Sequence, residues 1–203
     1  MKRVLVGLVV VLGIFLAIQS CDKKTPPKPN LDDPGYYFPV NFEYKWTYVL
    51  LNAQCQVSQD SFSVRVVDRN TRPEGSGWDL VSATGGTTFV YHKGDTIFTL
   101  DVKGSPEPFR ELVGPIKAGT FWKDVLRGWE YNITGFEDVT SGAGGVVYRG
   151  CARVRRSSPG YSQKTDFWWA PQIGKVKRTE TDLDGRCVSG EELRRLDKSP
   201  NFP

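Results

Sequence analysis

The stretch TTFVYHKGDTIFTLDV, residues 87–102, holds two short runs of β-branched and aromatic residues around a polar, glycine-bearing middle. Thr87–Tyr91 and Thr96–Val102 flank His92-Lys93-Gly94-Asp95. Two such runs joined by a few turn residues with a glycine predict a β-hairpin. The same pattern recurs outward from it. Trp46, Tyr48 and Leu50 alternate with Lys45, Thr47 and Val49, and Phe62, Val64 and Val66 alternate with Ser61, Ser63 and Arg65. A period of two marks half-buried strands. Gly75-Ser76-Gly77 reads as a turn before a short strand at Trp78–Val81, and Ser105-Pro106-Glu107-Pro108 closes the hairpin. No segment keeps a 3.6-residue repeat for long; Glu191–Leu196 is open between a closing strand and one helical turn. With 21 glycines and 13 prolines, the expectation is an all-β chain. Its form is a mainly antiparallel, strongly curved sheet, an open barrel or a sandwich of about ten strands.

The chain starts differently. Lys2 and Arg3 precede an apolar run, Val4 to Ile18, and then Gln19, Ser20 and Cys21. A charged start, an apolar run and a small residue before the cut are the layout of a secretory signal peptide, assigned to 1–20. As a helix the run reaches roughly 22 Å, short of a ~30 Å hydrocarbon core. The alternative is an uncleaved N-terminal anchor. Ile18-Gln19-Ser20-Cys21 resembles the lipobox of bacterial lipoproteins. That resemblance implies cleavage before Cys21, diacylglycerol on its thiol and attachment to a membrane of the bacterial cell envelope. In enterobacterial-type lipoproteins an aspartate such as Asp22 implies the periplasmic face of the inner membrane; the outer membrane is the alternative.

Residues 21–35 form an acylated cysteine and a tether rich in proline and charge, able to reach tens of ångströms at ~3.1 Å per residue. The β domain is assigned to 36–198, with sub-units 36–110 and 111–198, and a tail at 199–203. Removing residues 1–20 leaves 183 of 203 residues and a formal charge of about +2. That is too small for a nucleic-acid partner, which calls for a basic stripe. Export places the domain where disulfides persist. With Cys21 lipidated, three cysteines remain, and Cys55 with Cys187 is the preferred pair: they border the first and last strands, which lie side by side if antiparallel neighbours. Cys151 is then a lone thiol.

The second half starts again. Pro39 precedes Trp46 by seven residues and Pro115 precedes Trp122 by seven; Phe89 and Phe167 follow those prolines by 50 and 52. The spacing suggests two related β units. Pro115-Ile116-Lys117-Ala118-Gly119-Thr120-Phe121-Trp122 resembles a P-[apolar]-x-x-G-x-x-W signature of a loose group of exported bacterial lipoproteins without assigned role. Tyr37-Phe38-Pro39 and Trp169-Ala170-Pro171-Gln172-Ile173-Gly174-Lys175-Val176 match further features of that group, while Glu43 stands where the first copy's glycine would fall. The resemblance implies an envelope β domain and no chemistry.

Catalytic and metal signatures are sparse. His92 is the only histidine, and no G-x-S-x-G turn accompanies it. The thiols show no C-x-x-C, so neither zinc nor another cofactor is expected. Gly142-Ala143-Gly144-Gly145 lacks the Lys-Ser/Thr of a phosphate loop, and Glu180, Asp182 and Asp184 lack the downstream glutamate of an EF-hand; both read as hairpin turns. Two features could bind. Arg149, Arg153 and Arg155 share one face of a strand 146–156, opposite Tyr148, Gly150, Ala152 and Val154, in a half where basic residues outnumber acidic ones by 15 to 11 over 115–198. Trp168 and Trp169 are adjacent and must face opposite sides, so one of them is exposed unless a second layer covers it. The expected function is a non-enzymatic, membrane-tethered domain binding an envelope protein, lipid or polysaccharide. A lipid or lipoprotein carrier with an apolar concave face and a carboxylate-only hydrolase are the alternatives.

Overall fold

The computed structural model describes residues 30–41, 44–102 and 107–198. Residues 1–20, read above as a signal peptide, and Cys21, Asp22, Glu43, Ser105, Pro106 and the tail 199–203 lie outside the described residues. A short helical turn, α1 (Pro34–Tyr37), precedes twelve strands. They are β1 (Lys45–Leu51), β2 (Val57–Arg72), β3 (Gly75–Ser82), β4 (Thr87–Lys93), β5 (Thr96–Asp101) and β6 (Phe109–Val113), followed by β7 (Phe121–Asp124), β8 (Trp129–Thr140), β9 (Val147–Ser157), β10 (Lys164–Ala170), β11 (Gly174–Thr181) and β12 (Cys187–Asp197).

All twelve form one antiparallel sheet in the order β6-β5-β4-β3-β2-β1-β12-β11-β10-β9-β8-β7. Every pair except β1–β12 joins strands consecutive in the chain. The fold is thus two six-strand meanders zipped along β1–β12, where Lys45 pairs with Asp197 and Leu51 with Gly190. The sheet edges, β6 and β7, are themselves consecutive, and Trp122 Nε1 donates across them to Arg110 O at 3.3 Å. Strand twist, sharpened by bulges at Thr47/Tyr48, Ile133/Gly135 and Trp168/Trp169, curls the sheet into a nearly closed barrel. Bringing the edges together leaves little free edge for aggregation. Trp46 and Trp122 are each the second residue of the first strand of a meander, and Phe89 and Phe167 lie in the fourth strands.

The 87–102 hairpin forms as expected: His92 pairs with Ile97 and Lys93 with Thr96, around Gly94 at φ +62°. The ambiguous 191–196 segment is strand, because β12 is bonded on both sides, to β1 and to β11. Two expectations need correction. The β domain assigned from residue 36 does not begin with a strand there. Asp33 Oδ1 accepts from Gly35 N at 2.8 Å and Pro34 presets the first helical φ, so 34–37 turn once as α1. Gly75 to Gly77 belong to β3 instead of a turn, because the backbone of Gly77 packs directly on β4. A Cβ on Gly77 would run into the Val90 carbonyl, the Cβ of Tyr91 and the ring of Phe89. Gly77→Ala is therefore expected to lower stability by about 1–3 kcal/mol, as overpacking does, read as an earlier thermal midpoint.

α1 covers one end of the barrel. Ile116 N donates to Asp32 O at 2.9 Å and Gln172 N to Tyr36 O at 2.6 Å, tying it to the β6–β7 link and the β10–β11 turn. The opposite end carries the β1–β2, β3–β4, β5–β6, β7–β8, β9–β10 and β11–β12 connections. There a disulfide joins Cys55, in the β1–β2 turn, to Cys187, the first residue of β12.

Candidate functional site

Side chains alternate across a strand, so each strand sends every second residue into the barrel. Trp46 and Tyr48 of β1, Phe62 and Val64 of β2 and Leu80 of β3 point inward, with Phe38 arriving from the α1 segment. They line a cavity of about 320 Å³. A second cavity, about 310 Å³, is walled by Phe109, Trp129, Tyr131, Phe167, Arg156 and Arg178. Both share Thr88, Thr99, Glu111, Trp169 and Lys175, so they are one continuous interior. Exposed Asp101 and Glu107 line its outer part, at the end away from α1. The size and the mixed lining are those of small-molecule sites.

The two halves differ in polarity. In the α1-side half the polar tips are already satisfied. Trp46 Nε1 donates to Ile173 O at 2.7 Å and Tyr48 OH to Lys175 O at 3.0 Å, leaving ring faces to the cavity. In the outer half, Arg156 Nη2 donates to Thr165 Oγ1 at 2.8 Å and lies 4.2 Å over the Trp129 ring. Lys175, shared by the two halves, pairs with Glu191 of the α1-side half at 3.0 Å. Arg178 Nε lies 3.9 Å from Glu191, too long for a hydrogen bond, and this buried N–H has no partner. The buried Tyr131 hydroxyl has no acceptor for its O–H; Arg156, which donates to Thr165, also approaches the phenol oxygen as a donor. Burial raises the Tyr131 phenol.

Glu111 sits where the halves meet. It has no hydrogen bond or ion pair among the described residues. Burial pushes its carboxyl up, against the pull of Lys175, with Glu191 adding to the rise and Arg156 opposing it. Glu191 behaves oppositely. Burial alone would raise it, but Lys175 and Arg178 outweigh that and hold it low. A carboxyl with a raised folded pKa loses stability as pH rises from its unfolded value, about 4.3, through the folded one. Glu111→Gln is accordingly expected to raise the melting temperature at neutral pH, by a margin that closes below pH ~4.

Other expected sites fall elsewhere. Trp169 faces the cavity and Trp168 the opposite face, but both are buried, at 2% and 8% exposure, so the expected exposed aromatic is absent here. Trp168 Nε1 donates to Glu137, and Arg153 lies 5.2 Å over its ring. The three arginines do not share a face. Tyr148 pairs with Val139 and Cys151 with Glu137, so three residues of β9 span two of β8. This bulge, with Gly150 at φ +61°, flips the alternation: Arg149 is exposed and alone, while Arg153 and Arg155 converge on buried Asp166 at 2.6–2.9 Å. Arg153 and Arg155 therefore form an ion-paired cluster and not a free basic patch. Among the described cysteines Cys151 is the free one, fully buried, with burial pushing its thiol up to about 12. His92 is exposed beside the β4–β5 turn, and residues 142–145 and 182–185 lie in hairpin turns. Among the described residues no three metal-ligating side chains gather, and no helix is long and apolar enough to cross a membrane.

Sequence reading missed Glu111, Tyr131 and Glu191 as site residues and placed Arg156, Lys175 and Arg178 in a basic half without a role. A signal was present in β6, where Phe109, Glu111 and Val113 alternate with Arg110 and Leu112, so that a carboxyl stands in a column shared with apolar residues.

No known protein family and no curated protein matches the chain. Among solved structures it is similar to a Bacteroides fragilis protein described as exported and of YmcC-like fold, with TM-score 0.53, 15% identity and coverage of 80% of this chain and 99% of that one. A Parabacteroides distasonis protein described as a lipoprotein follows at TM-score 0.46 and 17% identity, covering 80% and 98%. Pseudomonas aeruginosa MucB, solved with MucA, reaches TM-score 0.34 at 9% identity, over 79% of this chain and 53% of that one. At these identities the likeness is one of fold, and of these three only the first exceeds a TM-score of 0.5.

Proposed function

We propose that the protein is an exported lipoprotein, held in the bacterial cell envelope by lipid on Cys21, whose barrel binds a small ligand without transforming it. The observation that carries this reading is the continuous interior, walled alternately by eleven of the twelve strands, with polar groups left unpaired on one side and satisfied aromatic groups on the other. A binding site needs such a pre-formed concavity with few, placed polar groups. Native mass spectrometry of protein isolated from its envelope is expected to show a bound small molecule. Thr99→Phe, which fills the junction of the two halves, is expected to remove it. Bare protein in both cases would refute the reading. Replacing Cys21 by Ser tests the anchor: protein that still fractionates with membrane would show that acylation does not hold it there.

A second reading is a hydrolase working through carboxylates, favoured by Glu111 and Glu191, two cavity-lining carboxyls displaced in opposite directions. It ranks lower because Glu191 is held by Lys175 and Arg178 and would have to leave them to act. Turnover of a glycoside that is lost in Glu111→Gln would favour it.

A further inference from the structure

We propose that the interior recognises a zwitterionic amphipath: an acidic head group donated to by Tyr131 and Arg178, a cationic group on Glu111, and an apolar chain along the α1-side half. This rests on the ligand-binding reading above.

The wall is sorted by what is already satisfied. In the α1-side half, Trp46 and Tyr48 spend their N–H and O–H on backbone carbonyls and Glu191 is ion-paired to Lys175, so apart from Ser82 and the groups at the junction what faces the cavity there is ring and aliphatic surface, closed by Phe38. An apolar chain matches that half and a polar one does not. In the outer half three groups are unmatched. Tyr131, 2% exposed, holds an O–H with no acceptor, its oxygen approached by Arg156; Arg178 holds a buried Nε–H with no partner; half-buried Glu111 makes no ion pair, though Lys175 and Arg156 act on it from a distance. Unpaired buried polar groups are rare and call for a partner. Two of these are donors and one is an acceptor, so the complement is a head carrying both an acceptor and a donor. Since Arg178 and Glu111 are ionisable, charges of opposite sign on one ligand compensate them better than neutral hydroxyls do. The aromatic walls, Trp129, Phe167 and Trp169, add faces on which an ammonium is stabilised.

The groups facing Glu111 are Lys175 from β11, Glu191 from β12 and Arg156 from β9. A bound ammonium would add a positive neighbour and favour the ionised carboxyl, so affinity should weaken as pH falls and Glu111 takes up its proton.

The test compares four ligands with the same dodecyl chain below their micellar concentrations: dodecylphosphocholine, dodecyl phosphate, dodecyltrimethylammonium and dodecyl maltoside. The protein is the chain from Asp22, since residues 30–198 contain every strand, the core and the disulfide. Dodecylphosphocholine is expected to bind at least tenfold more tightly than the other three. Glu111→Gln should close the gap between dodecylphosphocholine and dodecyl phosphate. Tyr131→Phe, which keeps the ring stacked on Trp122, should weaken both phosphates about equally. Equal binding of all four would overturn the head-group assignment and leave the ligand-binding reading standing; tighter binding of the maltoside would do the same. Failure of all four to bind would overturn both.

Discussion

Asp166→Ala is expected to destabilise the fold by about 2–3 kcal/mol, a lower denaturation midpoint in urea with an unchanged slope. The carboxyl is 5% exposed and accepts from Arg153 Nη2, Arg155 Nε and Arg155 Nη2. Removing it leaves two guanidiniums side by side between β9 and β10. Breaking a fully buried pair costs about 3–5 kcal/mol; the lower figure allows for solvent reaching both arginines, whose side chains are 32% and 39% exposed. The pH dependence has a definite sign. Burial would raise Asp166, but the hydrogen bonds from Arg155 and Arg153 outweigh it and hold the carboxyl low. A depressed acid contributes stability above its unfolded pKa, about 3.9, and loses it as pH falls through the folded value. The wild-type chain should lose part of its margin over the alanine variant in an acid titration below pH ~4. A difference that stays constant down to pH 2 would contradict the ion-pair account.

Breaking the disulfide is expected to be costlier. Cys55 and Cys187 are 132 residues apart, and closing so long a loop removes much freedom from the unfolded chain. In the chain-entropy account the effect is about 3–5 kcal/mol. For a domain of this size that is a fall in melting temperature of roughly 10 °C. The location adds to it: the bridge clamps the end of β1–β12, the ladder that joins the two meanders. A Cys55→Ser/Cys187→Ser double variant, melted beside the wild-type protein with and without reductant, checks this. The variant should be insensitive to reductant and the wild type should fall to meet it. Peptide mapping without reduction should show Cys55 joined to Cys187, and a bridge containing Cys151 would refute the pairing.

The strand content was legible in the chain because a strand announces itself locally. Trp46/Tyr48, Phe62/Val64 and the 87–102 hairpin each need only their own alternation and a turn glycine to be read. The candidate site was not, for two reasons visible in particular residues. Alternation says that neighbours face opposite sides but not which side is inside, so Trp168 and Trp169 could not be told apart. A bulge is a single extra residue with no strong local signature, yet the one beside Gly150 moved Arg149 away from Arg153 and Arg155.

Local interactions acting over two to ten residues determined that this chain is all-β and antiparallel. Only the tertiary structure decided that β6 and β7 come together, that α1 covers one end, and that Glu111, Tyr131, Arg178 and Glu191 meet around one interior. Those groups are 13 to 80 residues apart in the chain. What joins them is closure of the sheet: it turns one face of every strand inward and removes that face from bulk water, so a carboxyl that would be an ordinary surface charge on an open sheet becomes a buried group in search of a partner.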